Sequence, residues 1–232
     1  MRKIHYIQKI IKRILYKIGL LNLFSKIQNR NFWILKNGYS PRKFWDNWSD
    51  KYFKQPHRKK TAISHEWLLE EISNSKPENI LEVGCGFGRN LDFIYKNLKS
   101  PVKIIGLDLS EKFLKKALKY VDSNISLVCA DIMSLPFSDN SIDFVFTYGT
   151  LMHVPHQNIK DAIMELRRIC KKDLVIVEEI FPAGKNKNSL QLNDYTFIHR
   201  YTDLISETDL RIKEIKKDND FIELIYLHCQ KQ

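Results

Sequence analysis

"ILEVGCGFGRN", residues 80–90, places glycines at 84, 86 and 88 directly behind an apolar run that ends in Val83. The run Ile80–Val83 reads as a short buried strand, and the glycine-studded segment as a turn that brings backbone close to a ligand. Outward from this stretch, helical and strand periods alternate. Ile63–Ile72, Asn90–Leu98, Glu111–Tyr120 and Ile159–Cys170 carry helical spacing, whereas Lys103–Leu107, Ile125–Cys129, Ile142–Thr147 and Leu174–Glu178 read as strands. Strands alternating with helices of about ten residues predict right-handed crossovers and a parallel sheet covered on both faces. Arg211–Ile215 and Phe221–His228 flank "KKDND", a hairpin signal, so the sheet is expected to finish with an antiparallel pair.

The ligand of the loop follows from its neighbours. No GxxxxGK[ST] is present, and a dinucleotide GxGxxG would need its third glycine where Arg89 stands. Glu82, just before the glycines, would repel a pyrophosphate but suits a cationic amino acid group. Asp108 ends the next strand in "IIGLDLS", where a carboxylate can accept both ribose hydroxyls. Asp131 follows a third strand in "LVCADI" and can accept from an exocyclic amino group. Each has a plain structural alternative: Glu82 could pair with Arg89, Asp108 or Ser110 could cap the following helix, and Asp131 could serve a turn.

In order and spacing these residues resemble the class I methyltransferases that use S-adenosylmethionine, of the small stand-alone kind, over about Phe44 to Glu179. The resemblance implies an α/β, Rossmann-like doubly wound sheet of seven strands, mostly parallel with an antiparallel C-terminal hairpin. It implies S-adenosyl-L-methionine as cofactor, with Glu82, Gly84, Gly86 and Gly88 at the methionine end. Asp108 and Leu109 would hold the ribose, Asp131 and Ile132 the adenine, and Tyr148 would lie beside the sulfonium. No metal is called for.

Methyl transfer to a hydroxyl needs a base within hydrogen-bond reach, on loops outside the carboxyl ends of the strands. "TYGTLMHVPHQN" offers His153 there, and "NDYTFIHRYTDL" offers His199; these are the candidate catalytic residues, and each could instead anchor its loop. Glu178, Glu179, Arg200 and Tyr201 are candidate acceptor contacts. No Asn-Pro-Pro-Tyr type signature of amino-group methylation appears, which favours oxygen as the acceptor atom. Trp45, Trp48 and Tyr52 in "FWDNWSDKYF" share a helix face. They read as a packing stripe, with Tyr52 the best placed to touch cofactor.

The formal charge of +11 has a location. Residues 1–45 hold eleven Lys or Arg and no acid, so 38 less eleven leaves 27 basic against 27 acidic residues for the remainder. Ile4, Ile7, Ile11, Ile14, Leu15, Ile18 and Leu21 fall on one helical face, with Lys9, Lys12, Arg13 and Lys17 opposite. The expected organisation is a basic amphipathic arm, 1–43, and a methyltransferase domain, 44–232. The arm suits an anionic membrane surface through residues 1–36, with packing on the body or a partner as the alternative. It is too short in apolar run to cross a bilayer. The expected partner is a small-molecule, glycan or lipid-linked acceptor. RNA methylation through the basic arm is an alternative that the neutral body disfavours. A non-catalytic cofactor-binding scaffold or activator is another: the intact cofactor residues argue against lost binding, though not against lost turnover. The four widely spaced cysteines fit a reducing cytoplasm, with attachment to a membrane's inner face through the arm. Oligomeric state is not readable.

Overall fold

Pro41 at the first turn opens helix α1 (Pro41–Phe53), which needs no amide donor there. The computed structural model describes residues 40–55, 63–179, 191–193, 195–218 and 224–231. The expected arm helix lies outside these residues. Pro41–Lys43, counted with the arm in the sequence, belong to α1.

The alternation anticipated from the sequence continues through α2 (Ile63–Ser75), β1 (Asn79–Val83), α3 (Arg89–Asn97), β2 (Lys103–Asp108), α4 (Glu111–Ala117) and β3 (Ser126–Cys129). Next come β4 (Ile142–Tyr148), α5 (Ile159–Ile169) and β5 (Cys170–Glu179). The chain ends with a short ladder of β6 (Gln191–Asn193) and β7 (Thr196–Phe197), then α6 (Tyr201–Ser206), β8 (Leu210–Asp218) and β9 (Leu224–Lys231). In α5 the residues Ile159, Ala162, Ile163, Leu166 and Ile169 are buried, one apolar stripe at helical spacing. Ser110 accepts from the Phe113 amide at 3.2 Å and caps α4, so the cap is Ser110 rather than Asp108.

Seven strands form one sheet in the order β3-β2-β1-β4-β5-β9-β8. The first five run parallel, and β9 inserts antiparallel between β5 and β8. The antiparallel finish matches the sequence reading. Strand β5 is longer than expected from Leu174–Glu178, because both neighbours hold its first half: Ile142 faces Cys170, and Gln230 faces Asp173. Helix α4 stops at Ala117, short of Tyr120, where turn bonds from Lys119 to Lys116 and Tyr120 to Ala117 take over.

Successive strand residues point to opposite faces, and each face carries its own core. Leu81, Val83, Val145 and Ile176 pack toward α5 and α6, while Ile80, Phe144, Phe146 and Val175 pack toward α2 and α3. Behind the second core, His228 of β9 lies 2.7 Å from both Glu71 of α2 and Asp173 of β5, pinning the C-terminal hairpin to that helix. The chain proceeds outward from β1 to β3 and returns to β4 on the other side. The crevice outside the carboxyl ends of β1 and β4 is therefore a topological switch point, where ligands of such sheets bind.

Candidate active site

A cavity of about 400 Å³ opens at that switch point, walled by the loops after β1, β2, β3 and β4 and by α1. Its floor is the quoted glycine loop. The Gly84 and Cys85 amides donate to the Leu107 carbonyl at 2.7 and 2.9 Å, which holds the turn against β2. Gly84 has φ +82°, and a Cβ there would stand 2.2 Å from the Thr150 hydroxyl, so only glycine fits between these two loops.

Two buried carboxylates flank this loop and line the cavity. Asp108 accepts from the Gly86 amide at 2.8 Å and the Ser110 amide at 2.8 Å. Burial nevertheless pushes it up to about 6, against those two hydrogen bonds. Glu82 accepts from Asn90 Nδ2 at 2.5 Å through Oε1, while Oε2 is buried with no hydrogen-bond partner. Burial raises Glu82 to about 8; the Asn90 bond and the Arg89 charge pull the other way. An oxygen kept from water and from protein donors suits a ligand that brings its own donors.

The loop after β4 is fixed from below. Glu178 Oε1 accepts from the amides of Thr150 and Leu151 at 3.0 and 2.9 Å and from the Thr147 hydroxyl at 3.2 Å. Its Oε2 accepts from the Met152 amide at 3.1 Å. The 3₁₀ turn Leu151–His153 thereby presents His153 to the cavity. His153 Nδ1 lies 2.7 Å from the Tyr195 carbonyl, and its ring meets the Trp45 edge at 4.6 Å between centroids. Helix α1 covers the same end. Asp46 accepts from the Ser110 hydroxyl at 2.5 Å, Lys116 binds Asp50 at 2.6 Å, and Tyr52 stacks edge-on with Phe113 at 5.5 Å.

A family profile described as a methyltransferase domain matches residues 80–173. An uncharacterized protein of Methanocaldococcus jannaschii is 33% identical over 175 residues, covering 68% of each chain. Demethylmenaquinone methyltransferase of Staphylococcus aureus is 31% identical over 112 residues, 47% of this chain and 46% of that enzyme. Among solved structures, a magnesium protoporphyrin IX methyltransferase of Synechocystis with bound S-adenosylhomocysteine superposes with a TM-score of 0.67 at 13% identity, covering 82% of this chain and 98% of that one. A methyltransferase of Aquifex aeolicus that depends on S-adenosylmethionine gives 0.62 at 17% identity, covering 79% and 98%. The chain is a class I S-adenosylmethionine-dependent methyltransferase.

The methyltransferase brings most of its anticipated cofactor residues to one wall: Glu82, Gly84, Gly86, Asp108, Leu109, Asp131, Ile132 and Tyr148 all line the cavity. Asp131 also serves a turn, accepting from the Met133 amide at 3.0 Å. The partnerless Oε2 of Glu82 fits a cationic ammonium, the group that S-adenosylmethionine carries at its amino acid end. Gly88 lies outside the wall; its φ is +85° and a Cβ would stand 2.4 Å from Val121, so its task is close packing at the start of α3. Trp45 and Tyr52 both reach the cavity, whereas Trp48 turns to Tyr195 and carries Lys51 over its ring at 4.2 Å.

The anticipated acceptor residues are dispersed. Glu178 is buried beneath the loop, fully engaged by its four donors. Tyr201 is buried in the core below the sheet, and Arg200 is exposed and pairs with Asp203 at 3.6 Å. The Glu179 side chain is outside the described residues. His199 lies outside the cavity wall, its Nε2 donating to the Val154 carbonyl at 2.9 Å, and burial lowers it to about 4. It anchors the loop that His153 serves. Sequence reasoning overlooked Asn90, although it stands inside the quoted stretch, and His65 and Ser64, which reach the site from α2. Ser64 and Tyr148 share a hydrogen bond of 2.5 Å between hydroxyls.

Proposed function

We propose that this enzyme O-methylates a small-molecule, glycan or lipid-linked acceptor near a membrane surface, with His153 as the general base. The carrying observation is the 2.7 Å contact between His153 Nδ1 and the Tyr195 carbonyl. A carbonyl oxygen only accepts, so the neutral ring holds its proton on Nδ1 and its lone pair on Nε2. That lone pair takes the acceptor hydroxyl's proton as the oxygen becomes nucleophilic. The cofactor supplies an electrophilic methyl group on a sulfonium. Glu82, Gly84 and Gly86 would hold its methionine end, Asp108 and Leu109 the ribose, and Asp131 with Ile132 the adenine. Tyr148 would face the sulfonium, and Trp45 with Tyr52 would keep water from it. Positioning supplies much of the rate, on the order of 7 to 11 kcal/mol for well-aligned reactants.

Support for an apolar acceptor comes from the relatives' names, which include demethylmenaquinone methyltransferase and 24-methylenesterol C-methyltransferase. The loop after β4, residues 149–158, carries no Lys, Arg, Asp or Glu. A screen with isotopically labelled methyl donor across lipid, glycan and RNA fractions of cell extract identifies the acceptor, and label is expected in the lipid or glycan pool on oxygen. With that acceptor, His153→Ala should lower kcat by about 10²- to 10⁴-fold and remove the acidic limb of the pH profile. Unchanged kcat and pH profile would exclude His153 as the base.

A further inference from the structure

Glu82 offers one oxygen to its ligand only because something decides which way the Asn90 amide faces. Arg89 Nε, which can only donate, lies 3.2 Å from Asn90 Oδ1, and this fixes that atom as the amide oxygen. His65 Nε2 reaches the same Oδ1 at 2.9 Å, so the imidazole must carry its proton on Nε2 and donate. With two donors on Oδ1, the Asn90 amino group is left to Glu82 Oε1 at 2.5 Å. His65, Asn90 and Glu82 are 1%, 5% and 1% exposed, so no water competes for these bonds. The His65 ring is held in turn by Phe93 and Tyr148, at 5.3 and 5.4 Å between centroids.

We propose that His65 is a positioning residue for the cofactor: through Asn90 it holds the Glu82 carboxylate in the orientation that reserves Oε2 for the α-ammonium of the methionine end. The inference rests on the reading of Glu82 as the ligand of that ammonium. His65 sits on α2, ahead of β1, and touches no ligand itself. Its effect therefore falls on the amino acid portion of the cofactor and leaves the adenosine portion alone.

Calorimetry on the full chain tests this with two probes: S-adenosylhomocysteine, which has the amino acid end, and 5′-methylthioadenosine, which lacks it. His65→Phe keeps the aromatic contacts but removes the donor. It should weaken S-adenosylhomocysteine by about tenfold, the worth of one buried hydrogen bond, while methylthioadenosine changes less than about twofold. His65→Gln places an N–H at similar reach and should restore most of the affinity. Parallel losses for both probes, or no loss for either, would overturn the proposal, as would failure of His65→Gln to recover while still folded. Glu82→Gln separates the two layers of the argument. If it weakens S-adenosylhomocysteine and His65→Phe does not, only the role of His65 falls; if neither matters, the reading of Glu82 falls with it.

Discussion

Glu82 is costly to ionise in the empty protein and useful when ionised beside a cation. Its carboxyl titrates near 8 because burial outweighs the Asn90 bond, while an unfolded glutamate titrates near 4.5. A group raised in this way favours the folded state fully below the unfolded value, and that contribution is lost as pH rises through the folded one. The ligand-free enzyme should thus lose stability between about pH 4.5 and 8 on account of Glu82. Glu82→Gln removes the ionisation. Its Tm should pull ahead of the parent across that window and the gap should level off above it, at about 1.4 kcal/mol for each pKa unit. The same variant should bind S-adenosylmethionine more weakly by at least about tenfold, since an amide attracts an ammonium far less than a carboxylate does. Thermal melts over pH with and without cofactor check both signs; a variant that loses stability at pH 8 without ligand would contradict this account of the site.

Elements show why one part of the site was readable and another was not. The cofactor wall is built from strand ends and the turns directly after them, so Glu82, Asp108 and Asp131 announce themselves by position in a local pattern. The acceptor side is assembled by contacts between residues far apart in sequence, such as Glu178 with Thr150 and His199 with Val154. Nothing local distinguishes a glutamate that faces an acceptor from one that lies under a loop. Sheet parity decides it: Glu178 is on the buried face of β5, where its donors are the amides of the turn and the Thr147 hydroxyl. Removing it should unseat the element that carries His153. Glu178→Ala leaves three buried amides without an acceptor and should cost about 2–4 kcal/mol of stability together with a large loss of kcat. Glu178→Gln can keep the three bonds made to Oε1 and should be the milder change in both. Urea unfolding and single-turnover rates on the two variants test the ranking, and an Ala variant no worse than Gln would refute the clamp.

Charge is distributed over the whole molecule in a way that follows α1. Of the eleven basic residues before Asp46, Arg42 and Lys43 fall in α1, which leaves nine in residues 1–39 with no acid among them. Helix α1 turns Pro41, Trp45 and Tyr52 to the cavity and exposes Lys43, Lys51 and Lys54 to solvent, while the exposed Arg42 reaches the Cys129 thiol at the end of β3 at 3.5 Å. Beside it, α4 and the turn after it expose Lys112, Lys115 and Lys119, together with Leu118, which is 69% exposed. In sequence, the basic residues 1–39 precede α1, whose exposed lysines neighbour those of α4 beside the cavity. No helix among the described residues is long and apolar enough to cross a membrane. Each Lys or Arg near an anionic bilayer contributes about 1 kcal/mol, and that attraction falls off within a Debye length of about 8 Å at physiological salt. Flotation with vesicles containing phosphatidylglycerol should therefore carry the full chain upward at low salt and release much of it near 0.5 M salt, as an order-of-magnitude setting for strong screening. Residues 40–232 should float weakly, through the α1 and α4 lysines alone. Vesicles of neutral lipid should float neither form, and equal flotation of the full and shortened chains would mean that the arm has another task.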